Sequence, residues 1–282
     1  MPAQNKSRRR QVVYADLTRL YDLSHTIASP LVSLDQLSQW GIRATQVDLD
    51  QPNFILHFSP SFFEPAASSR FDYPIIDPDA IRPYEETNHP GKGFDDFYSD
   101  YDDIMGTART VMDYVTTSSD CLTRRHMVLI NGPSLNKNGF WESEADYEDF
   151  THESPHMVIP LLSDTVATNE ALTVGEVQVS IWVSRFRYRD RLFVKHDIIP
   201  ILIISYVGPK HGRVVQVHHD GNQLIMQFSP LVSFQDEETA HASMMLFSLY
   251  QWGYPEGRTE RSTMEDNSSA SCPTTGLHRL EV

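Results

Sequence analysis

Hydrophobic and polar positions change their period several times along the chain, and each change predicts an element. Tyr14, Leu17, Leu20 and Tyr21 recur at helical spacing, and Ser33 to Trp40 reads as a short helix closed by Gly41. The pattern is lost between Pro52 and Pro90, where seven of the 17 prolines break any long element. Ile104 to Val115 then reads as a helix and His126 to Asn131 as a buried strand.

The best-defined unit runs from Glu176 to Tyr254. Asp220-Gly221 signals a two-residue hairpin turn, which sets Val217 against Leu224 and Val215 against Met226. Val215, Val217, Leu224 and Met226 then share one face, while Val214, Gln216, His218, Gln223, Ile225 and Gln227 share the other. Ile198 to Val207 is apolar on both faces and predicts a central strand. Ser233 or Asp236 caps a helix with a buried stripe of Ala242, Met245, Leu249 and Trp252, ended by Gly253 and Pro255. Glu176 to Arg191 fits either period, and its branched and aromatic content tips it toward strand. The fold class is therefore α+β: a small antiparallel or mixed sheet whose C-terminal hairpin is packed by a helix.

Composition divides the rest. Residues 1–10 read as a disordered basic N-terminus, 11–58 as a mixed segment, and 59–103 as a Pro-rich and then acidic loop region. Residues 104–254 form the main domain, with its core at 176–254, and the Ser/Thr-rich end from 255 to 282 reads as a disordered tail. The net charge of −15 argues against a protein that coats nucleic acid, and no apolar run is long enough to span a bilayer. Cys121 and Cys272 are the two cysteines, so a reducing interior, cytoplasm or nucleus, is the expectation; Arg8–Arg10 adds a short import-like cluster.

Several motifs come near to chemistry. His152-Glu153-Ser154-Pro155-His156 matches the H-E-x-x-H zinc pattern, in which one helical turn presents both imidazoles and the Glu polarises a zinc-bound water. Glu170 offers a third ligand, but Pro155 falls inside the helix the motif needs. The acidic stretch Asp95 to Asp103 resembles the Asp-rich magnesium signatures of terpene cyclases, without the second motif those enzymes carry. Arg185, Arg187, Arg189 and Arg191 alternate with Phe186 and Tyr188; on a strand the arginines would share a face that meets phosphates. His211 and Arg213, after Gly208-Pro209, form a second candidate anion contact. His218 and His219 are adjacent and point to opposite faces of a strand, so they cannot share one ion.

Ile199 to Arg213, followed by Asp220-Gly221 and Ser229-Pro230-Leu231, resembles a family of filamentous-fungal proteins with no assigned activity. The likeness covers about Glu176 to Trp252. It implies no cofactor or catalytic residue, only an accessory place beside fungal secondary metabolism. The order of elements is also similar to a restriction-endonuclease-like core, with Glu176 as its leading acid. Met226-Gln227-Phe228 stands where that core needs Glu-x-Lys, and Asp220 lies in the turn, so a nuclease on this plan is degenerate. The leading expectation is a non-catalytic intracellular interaction or accessory protein with protein partners, no membrane and no cofactor. The alternatives are a zinc-dependent hydrolase using His152, Glu153, His156 and Glu170, and a degenerate nuclease-like binder of nucleic acid.

Overall fold

The computed structural model describes residues 2–50, 53–67, 109, 112, 125–128, 141–143, 146–149, 153–208, 210–235 and 237–260. In chain order they form α1 (Pro2–Ser24), β1 (Leu31–Ser33), α2 (Leu34–Gln39), β2 (Ile42–Gln46), β3 (Leu49–Asp50), β4 (Ile55–Leu56) and β5 (Phe63–Glu64). Next come β6 (Arg125–Val128), β7 (Trp141–Glu142), β8 (Asp146–Asp149), β9 (Met157–Val166), β10 (Ala171–Thr173), α3 (Val174–Arg189) and a 3-10 turn at Arg191–Phe193. The last elements are β11 (Ile201–Gly208), β12 (His211–His219), β13 (Leu224–Phe228), β14 (Val232–Ser233), α4 (Glu237–Gln251) and β15 (Tyr254–Pro255).

One nine-stranded mixed sheet organises the fold, in the order β2-β13-β12-β11-β9-β8-β6, with β14 beside β12 and β7 beside β9. β11 runs parallel to β9, and β13 parallel to β2; β11, β12 and β13 form an antiparallel meander. All eight residues of β11 are buried, as two-sided apolarity requires of a central strand. Alternation splits the core. Ile201, Ile203, Val215, Val217, Leu224 and Met226 meet α1 and α3 on one face, while Leu202, Ile204, Tyr206 and Val214 meet α4 and the 47–66 segment on the other. The result is three layers, α/β/α, an α+β arrangement as expected.

The segment read toward strand is the helix α3. Thr173 Oγ1 accepts from the Glu176 amide at 3.2 Å, and the Glu176 carboxylate accepts from the Thr173 amide at 2.7 Å, a complete capping box. Arg187 and Arg189 in the last turn suit the negative end of the helix dipole. Twelve of its 16 residues are buried, so packing between the sheet and α1 overrides the strand propensity of its valines.

Three further expectations are corrected. The hairpin pairs Val217 with Met226 and Val215 with Phe228, not Leu224 and Met226, because its connection spans Asp220 to Gln223. The Asp220 carboxylate accepts from the amides of Asn222 and Gln223 at 2.7 and 2.9 Å and closes this longer turn, with Gly221 at φ +101°. A shift of two leaves every side chain on its expected face. In α4 the buried stripe runs through Ala240, Met244, Phe247 and Tyr250 beside Leu249 and Trp252, and Ala242 and Met245 lie half-buried at its flank. Finally, described residues within the two segments read as disordered belong to elements or are packed. α1 begins at Pro2, and β15 pairs with β5 while Thr259 is buried against Asp197 and Ile198.

The N-terminal segment belongs to the same unit. β2 supplies a strand of the sheet, α1 covers α3, and α2 starts on Ser33, whose Oγ accepts from Gln36, and ends at Gly41 with φ +80°. Of the helix read at 104–115 only Arg109 and Met112 are described, both helical; the acidic stretch 95–103 lies outside the described residues.

Candidate functional site

The described residues of the proposed zinc motif, 153–156, are not helical. His152 lies outside the described residues; Glu153 is exposed in a bend, and His156 is buried at the mouth of β9. Pro155 has the effect its chemistry dictates. His156 Nε2–H donates to the Glu256 carbonyl at 2.9 Å, which leaves Nδ1 to accept from Ser154 Oγ at 2.5 Å. Phe62 and Phe63 pack their rings against the imidazole. Glu170 follows β9, between Thr168 and Ala171, whose carbonyls meet Arg213, whereas His156 precedes that strand and meets Glu256. The two cannot ligate one ion, and no group of three His, Cys, Asp or Glu among the described residues could hold a metal.

The four arginines do not share a face, because the segment is helical. Arg185 lies over the rings of Tyr14 and Tyr21 and donates to Thr18 Oγ1 at 3.1 Å. Arg187 is buried over Phe193, while Arg189 and Arg191 reach solvent. Arg213, read as an anion contact, is fully buried. It donates to the Glu176 carboxylate at 2.8 Å and to the carbonyls of Thr168 and Ala171 at 3.1 and 3.0 Å. His211 is half-buried where β12 begins, opposite Ser233.

α3, β11–β13 and α4 follow one another in the chain, but they do not bring the acids of a nuclease together. Glu176 is consumed by Arg213 and the capping box. Asp220 lies seven positions beyond Arg213, about 20 Å along the strand. Met226 and Phe228, where the motif wants an acid and a lysine, are buried in the core, and Gln227 between them pairs with Gln216 on the neighbouring strand. The two amides bind the chain at 59–62. Gln216 accepts from the Phe62 amide at 2.8 Å and donates to the Pro60 carbonyl at 2.8 Å, and Gln227 does the same for Ser59 at 3.2 and 2.9 Å.

His218 and His219 point to opposite faces, as their adjacency requires. His218 is edge-on to Phe62, and burial pushes its pKa down to about 4. His219 Nδ1 accepts from the Gly221 amide at 3.0 Å, so Nε2–H donates to Asp16 at 3.2 Å; burial lowers this imidazole too. Both of its nitrogens are occupied, and the pair ties α1 to the hairpin rather than offering a base.

Two arrangements went unread in the sequence. One is a cage around Arg10, whose guanidinium donates to the carbonyls of Arg187, Tyr188, Asp190, Phe193 and His196 at 2.8–3.1 Å. The Arg187 and Phe193 carbonyls also accept from the Asp190 and His196 amides, so the guanidinium adds a tie from α1 to the end of α3 and the turn after it. The other is an exposed face. Trp182, Arg185, Phe186 and Arg189 stand at i, i+3, i+4 and i+7 on α3, and Trp182 and Phe186 stack at 6.4 Å. Phe186 is 60% exposed, and Leu192 and Val194 on the following turn are 55% and 63% exposed. The signal was the same alternation of arginine and aromatic residues, read at the wrong period. No helix among the described residues is long and apolar enough to cross a membrane. Compared with protein-family models, with curated proteins and with solved structures, the chain matches none.

Proposed function

We propose that this protein is a non-catalytic interaction protein, an accessory subunit that works by binding another protein. The observation that carries the reading is that Phe186, Leu192 and Val194, three of the seven large hydrophobic side chains that stand exposed among the described residues, fall within nine positions of the chain. Scattered exposed hydrophobics need no explanation, whereas a cluster is a feature of binding surfaces. The groups that a catalyst would use, Glu176, Arg213, His156 and His219, are engaged in holding the fold. The two-cysteine composition favours the cytoplasm or nucleus, and the fungal likeness supports a place beside a secondary-metabolism enzyme.

Neither alternative gains a specific observation. The hydrolase needs a helical turn at 152–156, and the nucleic-acid binder needs four arginines on one face. Native mass spectrometry on the full chain, gently purified from the cells that make it, tests the proposal. A stoichiometric protein complex is expected; a bare mass, or a bound metal ion lost in His156→Ala, would overturn it.

A further inference from the structure

We infer, resting on that interaction reading, that the exposed face of α3 and the turn after it dock an acidic peptide segment carrying apolar side chains. The surface comprises Trp182, Phe186, Arg189, Arg191, Leu192 and Val194. Residues 185–195 hold four arginines and Lys195 against a single acid, Asp190, in a chain of net charge −15. Asp190 spends its carboxylate on the Leu192 amide at 2.9 Å, and Lys195 lies 3.4 Å from Glu260. Arg189 and Arg191 are exposed and have no partner among the described residues. Their charge is a local reversal of the molecule's field. An acidic segment is repelled by most of this protein and drawn to this face, which gives orientation as well as attraction.

The apolar component excludes a purely electrostatic partner. Aromatic and arginine side chains in one patch are the residue types that most often anchor interfaces. Nucleic acid fits less well. A protein that binds through phosphates makes about 6–10 such contacts, and here two exposed arginines have no partner among the described residues and a third, Arg185, is held over two tyrosines. Leu192 and Val194 also offer no aromatic ring for a base to stack on.

The position of α3 makes the patch rigid. Its opposite side is buried against the sheet, and Arg10 ties its last carbonyls to α1. The partner therefore meets a preformed helix face and is the component that orders on binding.

The test places the photo-crosslinker p-benzoylphenylalanine at Phe186, at Leu192 or, on the α4 side, at Ile55, in the full chain and in the cells that make it. Crosslinked peptides are then sequenced by mass spectrometry. Adducts from 186 and 192 to one segment rich in Asp or Glu with interspersed apolar residues are expected. Arg189→Glu with Arg191→Glu should cut their yield by about tenfold or more without moving the thermal unfolding midpoint. Adducts from Ile55 alone would overturn this surface and leave the interaction reading standing. An adduct from 186 or 192 to nucleic acid, or to a segment without acids, would overturn the partner chemistry. Silence at all three positions would remove both this inference and the reading on which it rests.

Discussion

Replacing Arg213 by Met deletes a charge at the most buried ion pair among the described residues and leaves a shorter, unbranched apolar side chain. Arg213 and Glu176 have no exposed side-chain surface, so water cannot take over for either. Three acceptors lose their donor at once: one Glu176 oxygen and the carbonyls of Thr168 and Ala171. Each buried group left unpaired costs about 1–3 kcal/mol. Glu176 keeps the Thr173 amide on its other oxygen, and Thr168 is half-buried, so the lower end of that range applies to two of the three. The sum is about 4 kcal/mol, inside the roughly 3–5 kcal/mol expected when one partner of a buried pair is removed. A domain has about 5–15 kcal/mol in total, so Arg213→Met removes at least a quarter of it. Urea unfolding read by fluorescence measures the loss, with an unchanged slope showing that the folded state is otherwise intact. The double variant Glu176→Leu, Arg213→Met removes both charges and should be less destabilised than Arg213→Met alone, since apolar replacement of a whole pair is often close to neutral. A single-variant loss below about 1 kcal/mol, or a double variant whose loss equals the sum of its singles, would refute the reasoning.

Other outcomes follow from the remaining contacts. Gln216→Leu strands the Phe62 amide and the Pro60 carbonyl and should cost about 1–3 kcal/mol. Hydrogen exchange should speed up at Phe62 more than at sheet amides such as Ile203. Arg10→Lys should weaken the end of α3 nearly as much as Arg10→Ala, because an ammonium has three donors where five carbonyls converge on a planar fork; exchange at residues 187–196 reads this directly. His218 has a folded pKa of about 4 against an ordinary 6.5, so the unfolded chain binds the extra proton between those values. Stability should therefore rise with pH across about 4 to 6.5, by up to roughly 3 kcal/mol from this group, and be lost as pH falls through the same window. His219 is lowered in the same direction and adds to the slope, whereas His218→Phe should flatten it.

How much was legible depended on whether a local rule had a competitor. β11 and the faces of the hairpin strands followed from period alone, because nothing else explains an apolar run broken only by Ser205 or the alternation beside it. The short helix at Leu34–Gln39 followed from its cap and Gly41. The identity of α3 did not, because its valines and aromatic residues satisfy both periods. The deciding signal, Thr173 and Glu176 spaced as a capping box, is a backbone device rather than a hydrophobic one. The arginines were assigned to one face only because that period was wrong. Arg10, Arg213 and the two glutamines find partners 11 to more than 180 residues away, and no local pattern encodes such pairings.

The pairing of β2 with β13 sets a timetable for synthesis. Ile42–Gln46 leave the ribosome about 180 residues before Leu224–Phe228, the strand they lie beside. At about 5–20 residues per second, the early strand waits roughly 10–40 s with its edge groups unmatched. α1, made earlier still, waits comparably long for α3 and the hairpin. The nascent chain thus carries an incomplete half for most of its own production, and folding is completed from the C-terminal side backwards. A stalled or truncated product lacking β13 would leave β2 as a free template for strands of other chains, making this protein more dependent on holding factors during translation than its finished three-layer form suggests.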